Sequence, residues 1–281
     1  MTQDNLDYVT RAFTNVGFPP QVRDLLSAGM EKGLPTIIAG GNRHYDAATH
    51  EVMRIEGRAD QGEQNTERYF PKGYQATLKS DTMEEARTQF IHIYDQKGFH
   101  VDQTRNLLSG KWVFAIEKDR GEEKRNFTRL NFDEKVASGN YKRINVKEDD
   151  YPLFKLLNKV SFVDPTEADL KDMLKSLFKG DTVSAKARLE GNIHTVQVDM
   201  RPDKGELLVY TPDNKISRTY SMGDKIRFEL DQLPDQNIKQ FNDKQQGINQ
   251  SMNAGDAERT KKVLEGPKPK PGTKNQPKPR V

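Results

Sequence analysis

Histidines and carboxylates are the side chains here that could do chemistry, because the chain has five histidines and no cysteine. Disulfides, thiolate zinc sites, iron–sulfur clusters and cysteine nucleophiles are therefore excluded. His44, Asp46 and His50 fall close together, and a metal site would need two neutral imidazoles and a carboxylate converging on one point. On a strand His44 and Asp46 share a face, but His50 lies across a turn, so a solvated loop is the expected reading. His92 and His100 flank Asp95–Gly98 and could face each other across a hairpin as base or ligand. His92 also shares a face with Phe90 and Tyr94, which reads as a packed or edge histidine. His194 falls on the face of Val196, Val198 and Met200 and reads as partly buried. Gly40-Gly41-Asn42-Arg43 could offer N–H groups and an arginine to a phosphate, but lacks the strand, glycine loop, lysine and helix of a phosphate loop. Glu84-Glu85, Glu122-Glu123 and Asp149-Asp150 are adjacent pairs, and adjacent side chains do not converge on a helix or a strand. Nothing assembles a nucleophile with an oriented base. The expectation is a protein that is not an enzyme and uses no cofactor or metal.

Two basic segments suggest a different chemistry. Arg125, Arg129, Tyr141, Lys142 and Arg143, with Phe127, could form a strand-based nucleic-acid surface. From Lys261 onward, Lys261, Lys262, Lys268, Lys270, Lys274, Lys278 and Arg280 stand against Glu265 alone. That segment is +6 within a chain of net charge +3, which leaves −3 for the rest. Flexible cations attract phosphates by counterion release. No aromatic residue is interleaved there, so base stacking is not offered. Nucleic acid is thus one expected partner and a protein partner the other.

The elements that must position these groups are short. Hydrophobic residues make up 33% and charged residues 31% of the 281, which predicts a thin core. Leu170, Met173, Leu174, Leu177 and Phe178 recur at helical spacing after Thr166, an N-cap with Asp169 three positions on. Gly180 can end that helix in the left-handed conformation. Val183, Ala185, Ala187 and Leu189 then alternate as a strand, Gly191-Asn192 signals a hairpin, and strands follow over 193–200 and 207–210. Upstream, helices are expected around Leu6–Phe13, Val22–Met30 and Asp102–Leu108. Strands are expected around 34–38, 49–58, 69–78, 89–94, 112–116, 127–132 and 141–146, with a turn at Gly40-Gly41-Asn42. Ile216–Tyr220 and Lys225–Leu230 read as the last strands.

Val22–Ile38, Asp102–Ile116 and Thr166–Leu189 share one plan, helix, glycine, alternating strand, which suggests an internal repeat. The expected fold class is α+β: short helices on antiparallel, hairpin-rich sheets in two or three similar modules. The expected boundaries are 1–80, 81–150 and 151–232, followed by a polar, basic and largely disordered tail over 233–281. The N-terminus lacks a basic region followed by an apolar run, and no stretch approaches the ~20 apolar residues of a membrane span. A cytoplasmic protein without membrane contact is expected.

Several segments carry a family resemblance. They are Asn5-Leu6-Asp7-Tyr8 with Gly17-Phe18 and Lys32-Gly33-Leu34-Pro35, Tyr69–Leu78, Asn106–Gly110, Asn131–Lys135 with Gly139–Lys142, and Lys179-Gly180. In order, they resemble an uncharacterised protein family of Bacteroidetes over roughly residues 5–220. Tyr69–Leu78 resembles that family's aromatic segment but departs at Pro71-Lys72-Gly73. The resemblance implies cargo carried near conjugative elements, and no activity. The functional expectation is an accessory binding protein of a mobile element, contacting nucleic acid or protein, or else a pure protein-interaction scaffold.

Overall fold

A computed structural model describes residues 2–64, 66–94, 97–119 and 122–221. The expected strand at Lys225–Leu230, the tail over 233–281 and its seven cations lie outside the described residues. Five α-helices and eleven strands follow in chain order: α1 (Gln3–Asn15), α2 (Val22–Glu31), β1 (Thr36–Asp46), β2 (Glu51–Gln61), β3 (Tyr69–Lys79), β4 (Arg87–His92), α3 (Val101–Leu108), β5 (Val113–Asp119), β6 (Glu122–Lys135), β7 (Tyr141–Lys147), α4 (Leu153–Leu157), α5 (Glu167–Lys179), β8 (Val183–Leu189), β9 (Asn192–Arg201), β10 (Glu206–Tyr210) and β11 (Ser217–Ser221). Among the described residues no helix is long and apolar enough to cross a membrane.

The strands form three antiparallel meanders, β1-β2-β3-β4, β5-β6-β7 and β8-β9-β10-β11. Each begins the same way. A helix ends, a glycine turns left-handed, and the first strand starts: Gly33 (φ 63°) before β1, Gly110 (φ 86°) before β5, Gly180 (φ 87°) before β8. Gly180 is the most constrained, since a Cβ there would lie 2.7 Å from the Trp112 carbonyl oxygen. The α+β class and the repeated helix–glycine–strand plan are therefore present in the fold. At α5 the expected capping box forms: Thr166 Oγ1 accepts from the Asp169 N–H (3.1 Å) and Asp169 Oδ2 from the Thr166 N–H (2.9 Å).

Two apolar clusters hold these layers together. The first gathers α1, α2, α3 and one face of β1–β4, around Phe13, Leu26, Met53, Tyr74 and Leu107. The second gathers α4, α5 and one face of β8–β10, around Tyr151, Leu156, Leu177 and Val198. The middle sheet supplies both. Val113, Ala115 and Leu130 enter the first cluster, while Phe114 and Phe127 enter the second. Alternation along a strand makes this division, because successive side chains point to opposite faces. The expected boundary at residue 80 falls between β3 and β4, which are hydrogen-bonded neighbours in one sheet.

Three local expectations differ from the structure. Gly40-Gly41-Asn42 is not a turn: it runs through the middle of β1, paired in register with Glu56, Ile55 and Arg54. A Cβ on Gly40 would lie 1.9 Å from the Ile55 carbonyl oxygen, so close backbone approach and not chain reversal requires the glycine. The first-sheet turn comes instead at residues 47–50, where His50 takes φ 48°. The hairpin of the third sheet turns on Glu190-Gly191, both at positive φ, one residue before Gly191-Asn192. Finally, α3 begins at Val101, one residue before the expected Asp102, and is capped by His100.

Candidate functional site

The groups that suggested catalysis or metal binding are separated, and Asp46, His50, Arg43 and His100 are held in structural contacts. Asp46 accepts from the Ala48 N–H (2.8 Å) and the Thr49 hydroxyl (2.9 Å), which closes its own turn. His50 Nδ1 bonds Asp81 at 2.7 Å, and that bond raises its pKa. Among the described residues no group of three His, Asp or Glu side chains could hold a metal ion. Arg43 lies within β1 and donates to the Gly17 carbonyl (2.6 Å) and to Asp102 (3.4 Å). His92 and His100 do not pair. His92 stands on the outer face of β4, whereas His100 lies beneath Gly17 at the start of α3. His100 Nδ1 is 3.3 Å from both the Asp102 N–H and its carboxylate. It can cap the helix with a lone pair or, protonated, pair with the carboxylate. His194 Nε2 is buried with no partner among the described residues.

The basic residues of the middle sheet likewise do not form one surface. Register places Arg125, Arg129 and Lys142 on the face of Phe127, and Tyr141 and Arg143 on the face of Leu130. Each cation has an internal partner. Arg125 holds Glu148 and Glu123, Arg129 lies 3.6 Å from Asp203 and over Trp112, Lys142 holds Glu134, and Arg143 holds Glu117 and covers Phe99. Rings and cations interleave here to close the edges of two cores.

A different arrangement occupies the outer face of the first sheet. Its inner face takes Gln89, Ile91 and Ile93, all buried. Alternation therefore turns Phe90, His92 and Tyr94 outward as a row of rings. Phe90 and His92 meet edge to face at 4.9 Å between centroids, and His92 stacks on Tyr94 at 5.6 Å. Tyr94 is 73% exposed and Phe70, on β3, 41%. With Arg58, Asp60, Lys72 and Pro71 they line an open concavity of about 530 Å³.

Local sequence explains why the rings can lie there. Tyr69 and Tyr74 both point into the core, five residues apart, which strict alternation forbids. The register slip between Arg58 and Ala59 absorbs the odd residue in β3 around Pro71–Gly73. Gly73, at φ 150°, lets the Phe90 ring rest against the strand, and a Cβ there would lie 2.1 Å from the Ile91 carbonyl oxygen. The Pro71-Lys72-Gly73 segment thus builds the concavity floor. Acidic groups on this face are held by neighbours. Arg58 donates twice to Asp60 (2.8 and 3.0 Å), Thr36 donates to the same carboxylate, and Arg54 holds Glu56.

A second, smaller pocket of about 320 Å³ lies beside Gly110 and Gly180, with Trp112, Arg129, Asp199 and Lys204 among its lining. Its charges are mixed in sign, and Asp199 is engaged: it accepts from Thr182 (2.6 Å) and from the Tyr210 hydroxyl (2.7 Å), whose pKa is pushed up to about 12, chiefly by burial. The outer face of the first sheet is the better candidate because its rings are exposed.

Sequence reasoning missed Phe70, Phe90, Tyr94, Arg58 and Lys72 as a group. The signal was the alternation Phe90, His92, Tyr94, but Ile91 and Ile93 alternate equally well, and both faces read as apolar. Comparison with protein-family models, curated proteins and solved structures finds no match to this chain.

Proposed function

We propose that this chain is a non-enzymatic accessory binding protein of a mobile element, and that its partner is nucleic acid. The mobile-element setting follows from the family resemblance. The observation that carries the binding reading is the outer face of the first sheet, where exposed rings stand beside Arg58 and Lys72. Rings interleaved with cations on an open sheet suit nucleic acid, since every base offers a π-face and every nucleotide a phosphate. The non-enzymatic reading is supported by the use of His50, His100, Asp46 and Asp102 in turn, cap and ion-pair contacts.

The test is binding of labelled DNA and RNA to the full chain and to a 1–252 truncation, each at two salt concentrations. The full chain is expected to bind more weakly as salt rises, and the truncation to keep folding and binding. Loss of binding on truncation would move the contact to the basic tail. No binding by either chain would overturn the reading, and a protein partner sought by pull-down would take its place.

A further inference from the structure

We propose that the outer face of the first sheet binds single-stranded nucleic acid, stacking unpaired bases on the exposed rings of Tyr94 and Phe70, with His92 stacked behind Tyr94, while Lys72 and Arg58 hold phosphates. This rests on the nucleic-acid reading above and adds the strandedness and the residues.

The first argument is ring geometry. Phe90, His92 and Tyr94 follow one another on the same side of one chain, with ring centroids 4.9 and 5.6 Å apart. The rings therefore pack on each other as one continuous platform, and only an unpaired base can turn its face to the end of it. The outward ring of Tyr94 is 73% exposed and offers an open π-face beyond its stack on His92. A duplex hides its base faces, so exposed rings bind it no better than a plain sheet would.

The second argument is charge. Each carboxylate on this part of the face, Asp60 and Glu56, is already bonded by an arginine of its own strand. Arg58 uses Nε and Nη2 for Asp60, which leaves its other N–H donors for a phosphate. Lys72 stands on the wall between Phe70 and the ring row and has no carboxylate within 4.0 Å among the described residues. Ile38, 55% exposed, is paired with Arg58 on β1 and extends the apolar floor toward that edge.

The third argument is contrast with the corresponding meander downstream. The outward residues of β8 and β9 include Ser184, Lys186, Arg188, Thr195 and Gln197, and its Tyr210 is bonded to Asp199. The repeated architecture therefore does not itself require rings on an outer face.

The deciding experiment is fluorescence anisotropy of the full chain with a short labelled oligothymidylate and with a blunt duplex of the same length. Wild type is compared with Tyr94→Ala/Phe70→Ala, Tyr94→Phe and Lys72→Ala. Both exposed rings can be removed without opening a core, and circular dichroism checks that each variant is folded. Wild type is expected to prefer the single strand, and the double variant to lose about five- to a hundredfold of that affinity. Tyr94→Phe keeps its ring and is expected to bind as wild type. Lys72→Ala is expected to reduce the salt slope by about one. Single-strand binding unchanged in the double variant, or a preference for duplex, would overturn the platform and leave nucleic-acid binding standing elsewhere. No binding of either probe by wild type would overturn both.

Discussion

The middle sheet and the first sheet both place cations beside aromatic rings, yet they use them in opposite ways. In β5–β7 both faces carry core residues. Phe127 and Leu130 are buried in different cores, and Arg125, Arg129, Lys142 and Arg143 are each engaged by a carboxylate. In β1–β4 one face is core and the other is open, with Tyr94 and Phe70 in solvent. The same residue types therefore seal a core in one sheet and offer a surface in the other. Composition cannot distinguish the two, because what differs is whether a second layer packs on the ring face.

Substitutions in the two sheets should separate stability from binding. Phe127 is fully buried against Phe114, Tyr151 and Phe178. Phe127→Ala should cost about 3–5 kcal/mol in a urea titration, while Tyr94→Ala stays within about 0.5 kcal/mol of wild type. Equal losses would mean that Tyr94 is covered in solution. Arg125→Gln comes next. Its two carboxylate partners are partly exposed, so removing it should cost about 0.5–1 kcal/mol. Nucleic-acid affinity should not change, and a clear drop would return the contact to the middle sheet.

The smallest effect concerns the charged contacts at the start of α3. His100, and then Arg43 and Tyr45, hold the Asp102 carboxylate below the usual range. A carboxylate depressed in the folded state stabilises the fold above its unfolded value of about 3.9 and loses that contribution as pH falls through the folded value. Asp102→Asn should therefore flatten the fall of melting temperature below about pH 4. An unchanged acid limb would show that this group takes no part.

Much of the fold was legible in the sequence. Helical spacing from Leu170 to Phe178, the Thr166–Asp169 box and Gly180 gave α5 and its ends, because local chemistry fixes helix termini. The Gly40-Gly41 pair misled because glycine serves two purposes, positive φ and close approach. Only the Ile55 carbonyl across the sheet shows which applies. The candidate site was legible as an alternation but not as a surface. Gln89, Ile91 and Ile93 compete with Phe90, His92 and Tyr94 for the inside. That contest is settled by α3 and by Tyr74, whose hydroxyl bonds the Phe99 carbonyl and Thr104 beneath the sheet. The middle-sheet residues read as one patch for a related reason: residues close in sequence straddle a sheet with core residues on each face.

The most direct measurement is a side-chain NMR titration of the full chain with oligothymidylate, following ring protons of Tyr94, His92 and Phe70 beside the Arg125 and Arg143 guanidinium signals. Base stacking predicts upfield shifts of the three rings that saturate together, with Arg125 and Arg143 unmoved. Shifts confined to Arg125 and Arg143, or binding with the three rings silent, would contradict the account.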